Sequence, residues 1–259
     1  ILHRADFATH KQLTDVSLIG ARGETLASSI VVDSTKPMKD IMVSISDLRN
    51  EKSGKTIDRS AFDIRVVKRW YRARYSWNKI VRNEERELLP NLLIHNDDLI
   101  YVDQISQKNY VLLGHKKQKY HALDDISESL KETKWGYHPE IWDFYIKDSK
   151  TLQPFDVGPN QFQQLWINAD IPNDTPSGIY SGKISFRTVG FELVLPLSLE
   201  VLSFDLRPHD MVYSVYYRGN LSDGPARISS EYKTVYQMGI ELENMRAHGI
   251  TNPSVYQYY

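Results

Sequence analysis

The sequence predicts a mainly β protein: an antiparallel β-sandwich of the immunoglobulin-like or jelly-roll type, followed by a shorter segment of strand, helix and strand. Apolar and polar residues alternate over residues 179–187 and 191–201, a stretch rich in turn formers precedes them, and the pattern changes after residue 206. A period of two is that of a strand with one buried face. We therefore expect one domain over residues 1–206 and a second over residues 207–259.

The alternation is clearest in the last two strands of the predicted sandwich. It places one set of side chains in the core: Ile184, Phe186, Leu193, Leu195, Leu197 and Leu199. The segment Pro172–Gly178 is dense in residues that favour turns. Together with the strand-like run before it, this segment predicts a hairpin that leads into the strand starting at Ile179.

Shorter runs predict the other strands of the sandwich. Two or three strands are expected within residues 16–48, and single strands over 62–71, 98–102 and 110–113, with a short apolar stretch around Pro90 over residues 88–93. Residues 115–142 are polar and irregular, with a possible helix around residues 125–131. A long connection of this kind is usually functional or packed against a neighbouring domain.

The C-terminal segment has a different pattern. An apolar and aromatic strand over residues 211–217 is followed by a loop, a helix capped by Ser229 or Ser230 that runs to about His248, and a new strand from Ile250. Five non-polar residues share one face of that helix: Val235, Met238, Gly239, Leu242 and Met245. Gly249 stands where a left-handed C-cap belongs. This order predicts a βαβ unit with two parallel strands.

The composition is that of an ordinary globular protein. Of 259 residues, 41% are hydrophobic and 25% are charged, and the net charge is -1. There is no overall field to attract nucleic acid, and no apolar run reaches the ~20 residues of a membrane span. With no cysteine in the chain, disulfides and thiolate metal sites are excluded. The first residues do not have the pattern of a signal peptide. No phosphate-binding motif or metal-ligand spacing is present, so we expect no cofactor and no metal.

Several stretches together carry a resemblance to a known family. They are Arg22–Thr25, Ile45–Leu48, Leu88–Leu93 with Asp97–Asp98, Leu165–Ile167 with Pro172, and Gly178–Gly182. These stretches resemble the N-terminal β-sandwich of glycoside-hydrolase-like proteins related to glycoside hydrolase family 123, in which a sandwich precedes a (β/α)8 barrel. Residues 213–217 and the helix ending in Met245–Thr251 are similar to the first strand, helix and second strand of that barrel.

The resemblance implies an accessory sandwich and an incomplete barrel start, over residues 207–259, of a glycoside hydrolase acting on hexosaminide-type glycans. Its partners would be a carbohydrate substrate and the rest of the barrel, and its location would be periplasmic, cell-surface or secreted. The family resembles hexosaminidases that use an adjacent Asp–Glu pair, and this sequence has no such dipeptide. A barrel also needs about 250 residues. The catalytic residues therefore stay unassigned, and we expect this chain alone to be inactive. The alternative is a non-catalytic carbohydrate-binding or structural interaction module.

The candidate substrate-binding residues lie at the ends of the two barrel-like strands. They are Tyr216, Tyr217, Arg218, Asn220 and Asn252. Barrel enzymes build their active sites at the C-terminal ends of their strands, so these side chains would meet a sugar there. In the alternative interpretation, the tyrosines fill the barrel interior and Arg218 pairs locally.

Three further groups are weaker candidates. Trp135, Tyr137, Trp142 and Tyr145 could stack on sugars, although pinning a long loop suits them better. The basic stretch His115–His121 is typical of a solvated loop. The pairs Asp97–Asp98 and Asp124–Asp125 favour turns. If the chain proved active, the first carboxylates to test would be Asp97, Asp98, Asp143 and Asp223.

Overall fold

The computed structural model describes residues 12–73, 86–114, 118–122, 146–207, 210–221 and 232–255. Over these ranges the backbone is mainly β. The strands are β1 (Val16–Arg22), β2 (Thr25–Ser34), β3 (Met38–Ile45), β4 (Leu48–Arg49), β5 (Thr56–Ile57), β6 (Phe62–Ala73), β7 (Arg86–Ile94), β8 (Ile100–Asp103), β9 (Lys108–Leu113), β10 (Lys119–Ala122), β11 (Phe155–Val157), β12 (Gln161–Asp170), β13 (Gly178–Thr188), β14 (Phe191–Asp205), β15 (Tyr216–Tyr217), β16 (Asn220–Leu221), β17 (Tyr232–Lys233) and β18 (Ser254–Val255).

Helical structure is sparse in the described part of the chain. It consists of the α-helix α1 (Val235–Ala247) and two short 3-10 helices, Arg59–Ala61 and Asp97–Leu99. Within the same ranges, no helix is both long enough and apolar enough to cross a lipid bilayer.

The chain divides into two compact units. The larger contains the described residues up to Leu112, residues 118–122 and residues 146–206, and the smaller contains the described residues from Arg207 onward together with Leu113 and Gly114. The assignment of an N-terminal sandwich domain to residues 1–206 and of a barrel start to residues 207–259 stays a prediction.

The larger unit is a β-sandwich, as the sequence predicts. Among the described residues, seven strands form one sheet, in which β1, β14, β13, β3 and β11 lie side by side and β4 and β5 join at β13. A second sheet has the order β2-β12-β6-β7, and a third the order β10-β9-β8. In the two large sheets, the described strands pair in the antiparallel direction except β1 and β14, which run parallel.

The core lies on the inward faces of the two large sheets. In β14 the exposed fraction is 5% at Leu195, 2% at Leu197 and 1% at Leu199. The opposite sheet contributes Leu165 and Val66, both 0% exposed. Burying aliphatic side chains of this size stabilises the fold by about 1.5–3 kcal/mol each. The predicted core residues Ile184 and Phe186 are also buried, whereas Leu193 is only half-buried because it lies close to the turn that joins β13 to β14.

The predicted hairpin at Pro172–Gly178 is wrong. The strand before it, β12, belongs to the sheet of β2 and β6, and the strand after it, β13, belongs to the other large sheet. The segment therefore crosses from one sheet to the other, and the true hairpin is β13–β14, which closes through Val189 and Gly190. Turn formers show where a chain reverses, but not which sheet the next strand joins.

The crossing segment is held at both ends by hydrogen bonds. The amide of Ile171 donates to the Glu24 carbonyl at 2.9 Å, and the Tyr180 hydroxyl donates to the Pro176 carbonyl at 2.9 Å. Gly178, with φ 139°, packs against the buried Asn50, whose Nδ2 would lie 2.4 Å from an added Cβ. A side chain at this position would therefore be strained and would also collide.

The smaller unit contains the strand–helix–strand order that the sequence predicts. Strand β15 pairs in parallel with β18, and an isolated parallel bridge joins Tyr213 to Ile250. Gly249 has φ 80°, the left-handed conformation of a helix C-cap. Whether this unit opens a barrel stays a prediction.

Two details of the smaller unit differ from the prediction. Helix α1 begins at Val235, after Thr234, rather than after Ser229 or Ser230, because residues 232–233 form a strand. Thr234 and Gln237 make a capping box, which fixes this start. The strand expected over residues 211–217 is short, and regular pairing is restricted to Tyr216–Tyr217.

Candidate functional site

The sequence-predicted site residues all lie in the smaller unit, around the parallel pair β15 and β18. Tyr216 is opposite Ser254 and Tyr217 is opposite Val255. Tyr216 is 77% exposed, while Tyr217 is half-buried. The two neighbouring tyrosines therefore point to different surroundings, as successive residues of a strand do.

The remaining predicted residues flank this pair of strands. Arg218 is exposed directly after β15, Asn220 is half-buried in β16, and Asn252 is exposed just before β18. Strand β16 pairs in parallel with β17, with Asn220 opposite Tyr232. The structure thus brings the ends of β15 and β16 into one region of the unit, next to the start of the helix.

Tyr217 is the centre of a hydrogen-bonded cluster. Its hydroxyl donates to Oε2 of Glu241 at 2.8 Å, and Nζ of Lys233 donates to Oε1 of the same carboxylate at 2.8 Å. The Lys233 side chain is only 12% exposed and that of Glu241 is 39% exposed. Hydrogen bonds to an ionised group are stronger than those between neutral groups, so this carboxylate holds both donors in place.

The local sequence explains why these three side chains meet. Lys233 immediately precedes Thr234, the N-cap of α1, and Glu241 lies about two turns into the helix. Gly219 lies beneath the Tyr217 ring, where an added Cβ would be 2.3 Å from the ring edge. A larger residue at position 219 would therefore push the ring out of reach of Glu241.

The cluster keeps Tyr217 protonated. Burial raises the pKa of Tyr217, and the hydrogen bond to Glu241 and the negative charge of that carboxylate raise it further, to about 12. At neutral pH the phenol is therefore a hydrogen-bond donor and not a base. A tyrosine ring, an ammonium group and a carboxylate held in this way can bind and orient a polyhydroxylated ligand.

Sequence reasoning singled out Tyr217, whose role stays a prediction, and did not single out its cluster partners Glu241 and Lys233. It considered the apolar stripe of α1 and not the polar side chains at the start of the helix. The available signal was a lysine directly before a capping box, with a glutamate two turns later on the helix. The stripe itself is partly uncovered, since Val235 is 76% exposed and Leu242 is 37% exposed.

The larger unit contains a second polar cluster, around the buried His95. Nε2 of His95 lies 2.6 Å from Oδ1 of Asp63, and its backbone amide donates to Oδ2 of Asp148 at 2.7 Å. Burial acts to raise the pKa of Asp63, but the hydrogen bonds from His95 and Arg65 and their charges outweigh it, so that the pKa is lowered. The Asp148 carboxylate also accepts from the amides of Asn96 and Ser149, which is typical of a structural clamp.

The adjacent acids Asp97 and Asp98 begin a 3-10 helix capped by Asn96. Nζ of Lys68 lies 2.9 Å from Oδ1 of Asp97, whereas Asp98 is exposed. In the described residues, no group of three or more His, Cys, Asp or Glu side chains is arranged to hold a metal ion. Several weaker candidates lie outside the described residues: Asp124–Asp125, Trp135, Tyr137, Trp142, Asp143, Tyr145, Asp223 and residues 115–117.

Comparison with known proteins identifies the family of the chain. Residues 3–188 match the family model described as the glycoside hydrolase 123 N-terminal domain. A similar solved structure is that of a family 123 glycoside hydrolase from Clostridium perfringens that acts in glycolipid glycan hydrolysis. That structure is 16% identical in sequence to this chain, with a TM-score of 0.47. The match covers 82% of this chain and 28% of the other protein, so this chain spans well under a third of that protein's length. No curated protein matches. Because the family model covers more than half of the chain, the protein belongs to the family of the glycoside hydrolase 123 N-terminal domain.

Proposed function

We propose that this chain is the accessory sandwich and barrel start of a glycoside hydrolase that acts on hexosaminide-type glycans. The observation that carries the proposal is the family-model match over residues 3–188. The parallel pairing of β15 and β18 across α1 adds support, since a barrel is built from such units. On this proposal, the glycan substrate and further barrel strands are the partners of the chain.

In this proposal the substrate cleft includes Tyr217 and the residues around it. Tyr216, Arg218, Asn220 and Asn252 would contact the sugar, while Glu241 and Lys233 hold the Tyr217 ring in position. A guanidinium group can make two parallel hydrogen bonds to neighbouring oxygens, which suits Arg218 to vicinal hydroxyls or to an acetamido group. We extend the proposal to a periplasmic, cell-surface or secreted location, where glycans of this kind are met.

A second candidate function is a non-catalytic carbohydrate-binding or structural interaction module. The observation in its favour is that no Asp–Glu dipeptide occurs in the 259 residues. For the same reason we expect the purified chain not to cleave nitrophenyl hexosaminides of the gluco or galacto series. Turnover that a single carboxylate substitution abolishes would contradict that expectation and would assign a catalytic residue.

The test of the proposed cleft is the binding of N-acetylhexosamine oligosaccharides to the full chain and to Arg218→Ala, measured by calorimetry. We expect Arg218→Ala to weaken binding about tenfold and to leave the melting temperature unchanged, because the side chain is exposed. Arg246→Ala is the matched control, since Arg246 is an exposed arginine near the end of α1. If Arg218→Ala lowers the melting temperature by several degrees and leaves binding intact, Arg218 is a structural residue and the cleft assignment fails.

A further inference from the structure

The larger unit contains a cleft of about 270 Å³ that the proposed function does not use. One side of it comes from β6 and β12, with Arg69 and Phe162, and the other from the sheet β10-β9-β8, with Tyr101 and Tyr120. Pockets for small ligands are typically about 300–1,000 Å³. The cleft is therefore suited to one or two rings rather than to a long segment of polymer or a large cofactor.

Tyrosines form one wall of the cleft. Tyr101 is opposite Tyr110 in the β8–β9 pair, and the centroids of their rings are 5.7 Å apart. The Tyr120 ring lies 5.9 Å from that of Tyr101, and its hydroxyl donates to the Asp98 carbonyl at 2.5 Å. The Tyr101 ring thus contacts both of the other rings, and the hydrogen bond limits the movement of Tyr120.

These tyrosines remain open to solvent. Tyr101 is 52% exposed and Tyr120 is 39% exposed. A tyrosine offers a broad apolar face at a low cost in conformational entropy, which is why it is enriched where one molecule recognises another. Two such faces, already held in position and facing a cleft, can bind a flat apolar surface without rearranging first.

The opposite side of the cleft is polar and carries little net charge. The Lys68 ammonium is paired with Asp97, and both side chains are largely buried, at 14% and 25% exposed. The guanidinium of Arg69 lies 4.2 Å from the centroid of the Phe162 ring, a cation–π contact that holds it against the wall. Asp156 also lines the cleft and is paired with Lys39. The cations are thus engaged within the protein, which disfavours an anionic ligand.

Hydrogen-bonding side chains complete the lining. Asp98 and Gln104 lie on the tyrosine side, and Gln161 is on β12. Together they offer carboxylate and amide oxygens as acceptors and amide nitrogens as donors. A ligand that fits this lining has one apolar face and a rim of hydroxyl groups.

We propose that this cleft binds a neutral pyranose unit of a glycan, with Tyr101 and Tyr120 against the apolar face of the ring. Asp98, Gln104 and Gln161 would hydrogen-bond the ring hydroxyls. This inference goes beyond the proposed function: it concerns the sandwich, it requires no catalysis, and it uses none of the residues assigned to the hydrolase cleft. It would give the sandwich a role in holding glycans.

The experiment titrates the full chain with neutral monosaccharides and disaccharides of glucose, galactose, mannose and their N-acetylated 2-amino forms, by saturation-transfer NMR and calorimetry. We expect Tyr101→Ala to lower the affinity at least about tenfold. Tyr236→Ala is the matched control, since Tyr236 is 77% exposed on α1 and lies outside the cleft. Gln104→Ala, in the turn after β8, is expected to weaken binding as well, and it tests the site without altering a strand.

Three results would overturn the inference: no binding of any neutral sugar by the wild-type chain, binding of glucuronic acid in preference to neutral sugars, or binding that Tyr101→Ala and Gln104→Ala leave unchanged. If Arg218→Ala abolishes binding and the cleft variants do not, the ligand site belongs to the smaller unit; the proposed function then stands and this inference fails. If the cleft variants lose binding and Arg218→Ala does not, the ligand site belongs to the larger unit. This inference then stands, and the assignment of the hydrolase cleft around Arg218 fails.

Discussion

Replacing Tyr180 by phenylalanine tests whether the crossing between the two large sheets is held by a single hydroxyl group. Tyr180 is 0% exposed, and its hydroxyl donates to the Pro176 carbonyl at 2.9 Å. The substitution removes that hydrogen bond and keeps the ring in the core. A hydrogen bond of this kind contributes about 0.5–1.5 kcal/mol. Pro176 is itself exposed, so water can reach its carbonyl group, and we expect a loss of about 1 kcal/mol.

Truncation to alanine separates the ring from the hydroxyl. Tyr180→Ala removes a fully buried ring and leaves a cavity, so we expect a loss of about 3–5 kcal/mol. For a chain of this size, 1 kcal/mol corresponds to a shift of about 2–4 °C in the melting temperature. Tyr180→Phe should therefore melt about 2–4 °C below the wild type, and Tyr180→Ala much lower.

The assay is urea unfolding followed by circular dichroism, with calorimetric melting as a second measurement. The matched control is Tyr236→Phe, which removes a hydroxyl from a side chain that is 77% exposed and should leave stability unchanged. If Tyr180→Phe is as stable as this control, the hydrogen bond to Pro176 does not hold the crossing. If Tyr180→Ala costs no more than Tyr180→Phe, the ring is not part of the core.

Three further predictions concern other described residues. Because the pKa of Tyr217 is raised to about 12, its protonated form stabilises the fold below pH ~10, and this contribution is lost as pH rises towards 12. In a spectroscopic titration, Tyr217→Phe should lack the phenolate absorbance step that the wild type shows near pH 12. Loss of a step near pH ~10 instead would contradict the hydrogen-bonded cluster. The lowered pKa of Asp63 contributes stability that is present above pH ~4 and is lost as pH falls below it. In Asp63→Asn, the urea concentration at half-unfolding should therefore fall less steeply with decreasing pH than in the wild type. An unchanged pH dependence would refute this. Gly178→Ala should cost about 1–3 kcal/mol in urea unfolding, and more than Gly190→Ala, since both have positive φ but an added Cβ meets a neighbour only at Gly178; equal losses would show that Asn50 moves aside.

The strands of the sandwich could be predicted because alternation is a local signal. In β14 the burial of Leu195, Leu197 and Leu199 follows from a period of two in the sequence. The sheet that β13 joins could not be predicted in this way. Alternation fixes which face of a strand is buried but not its neighbour, and the crossing depends on contacts between residues far apart in the chain, such as Asn50 with Gly178.

The two candidate sites also differ in how far the local sequence predicts them. The order of strand, helix and strand could be predicted from the sequence, and with it the place of Tyr217 at the end of a strand, whereas its part in a substrate site stays a prediction. The cleft could not, since its lining brings together Lys68, Asp98, Tyr120 and Gln161 from four separate elements. Nothing in the local sequence of any one element shows that the others lie beside it.

Three tyrosines make the same kind of hydrogen bond, and the exposure of each ring decides what the side chain contributes. The hydroxyls of Tyr180, Tyr217 and Tyr120 each donate to a fixed acceptor, at 2.9, 2.8 and 2.5 Å. The ring is fully buried at Tyr180, half-buried at Tyr217 and 39% exposed at Tyr120. A buried ring can contribute only packing, whereas a fixed ring with an open face is ready to bind a ligand. Loss of the ring should therefore lower stability most at Tyr180 and ligand binding most at Tyr120. Both tyrosines make the hydrogen bond, but only Tyr120 also has a ring face that is open to a ligand.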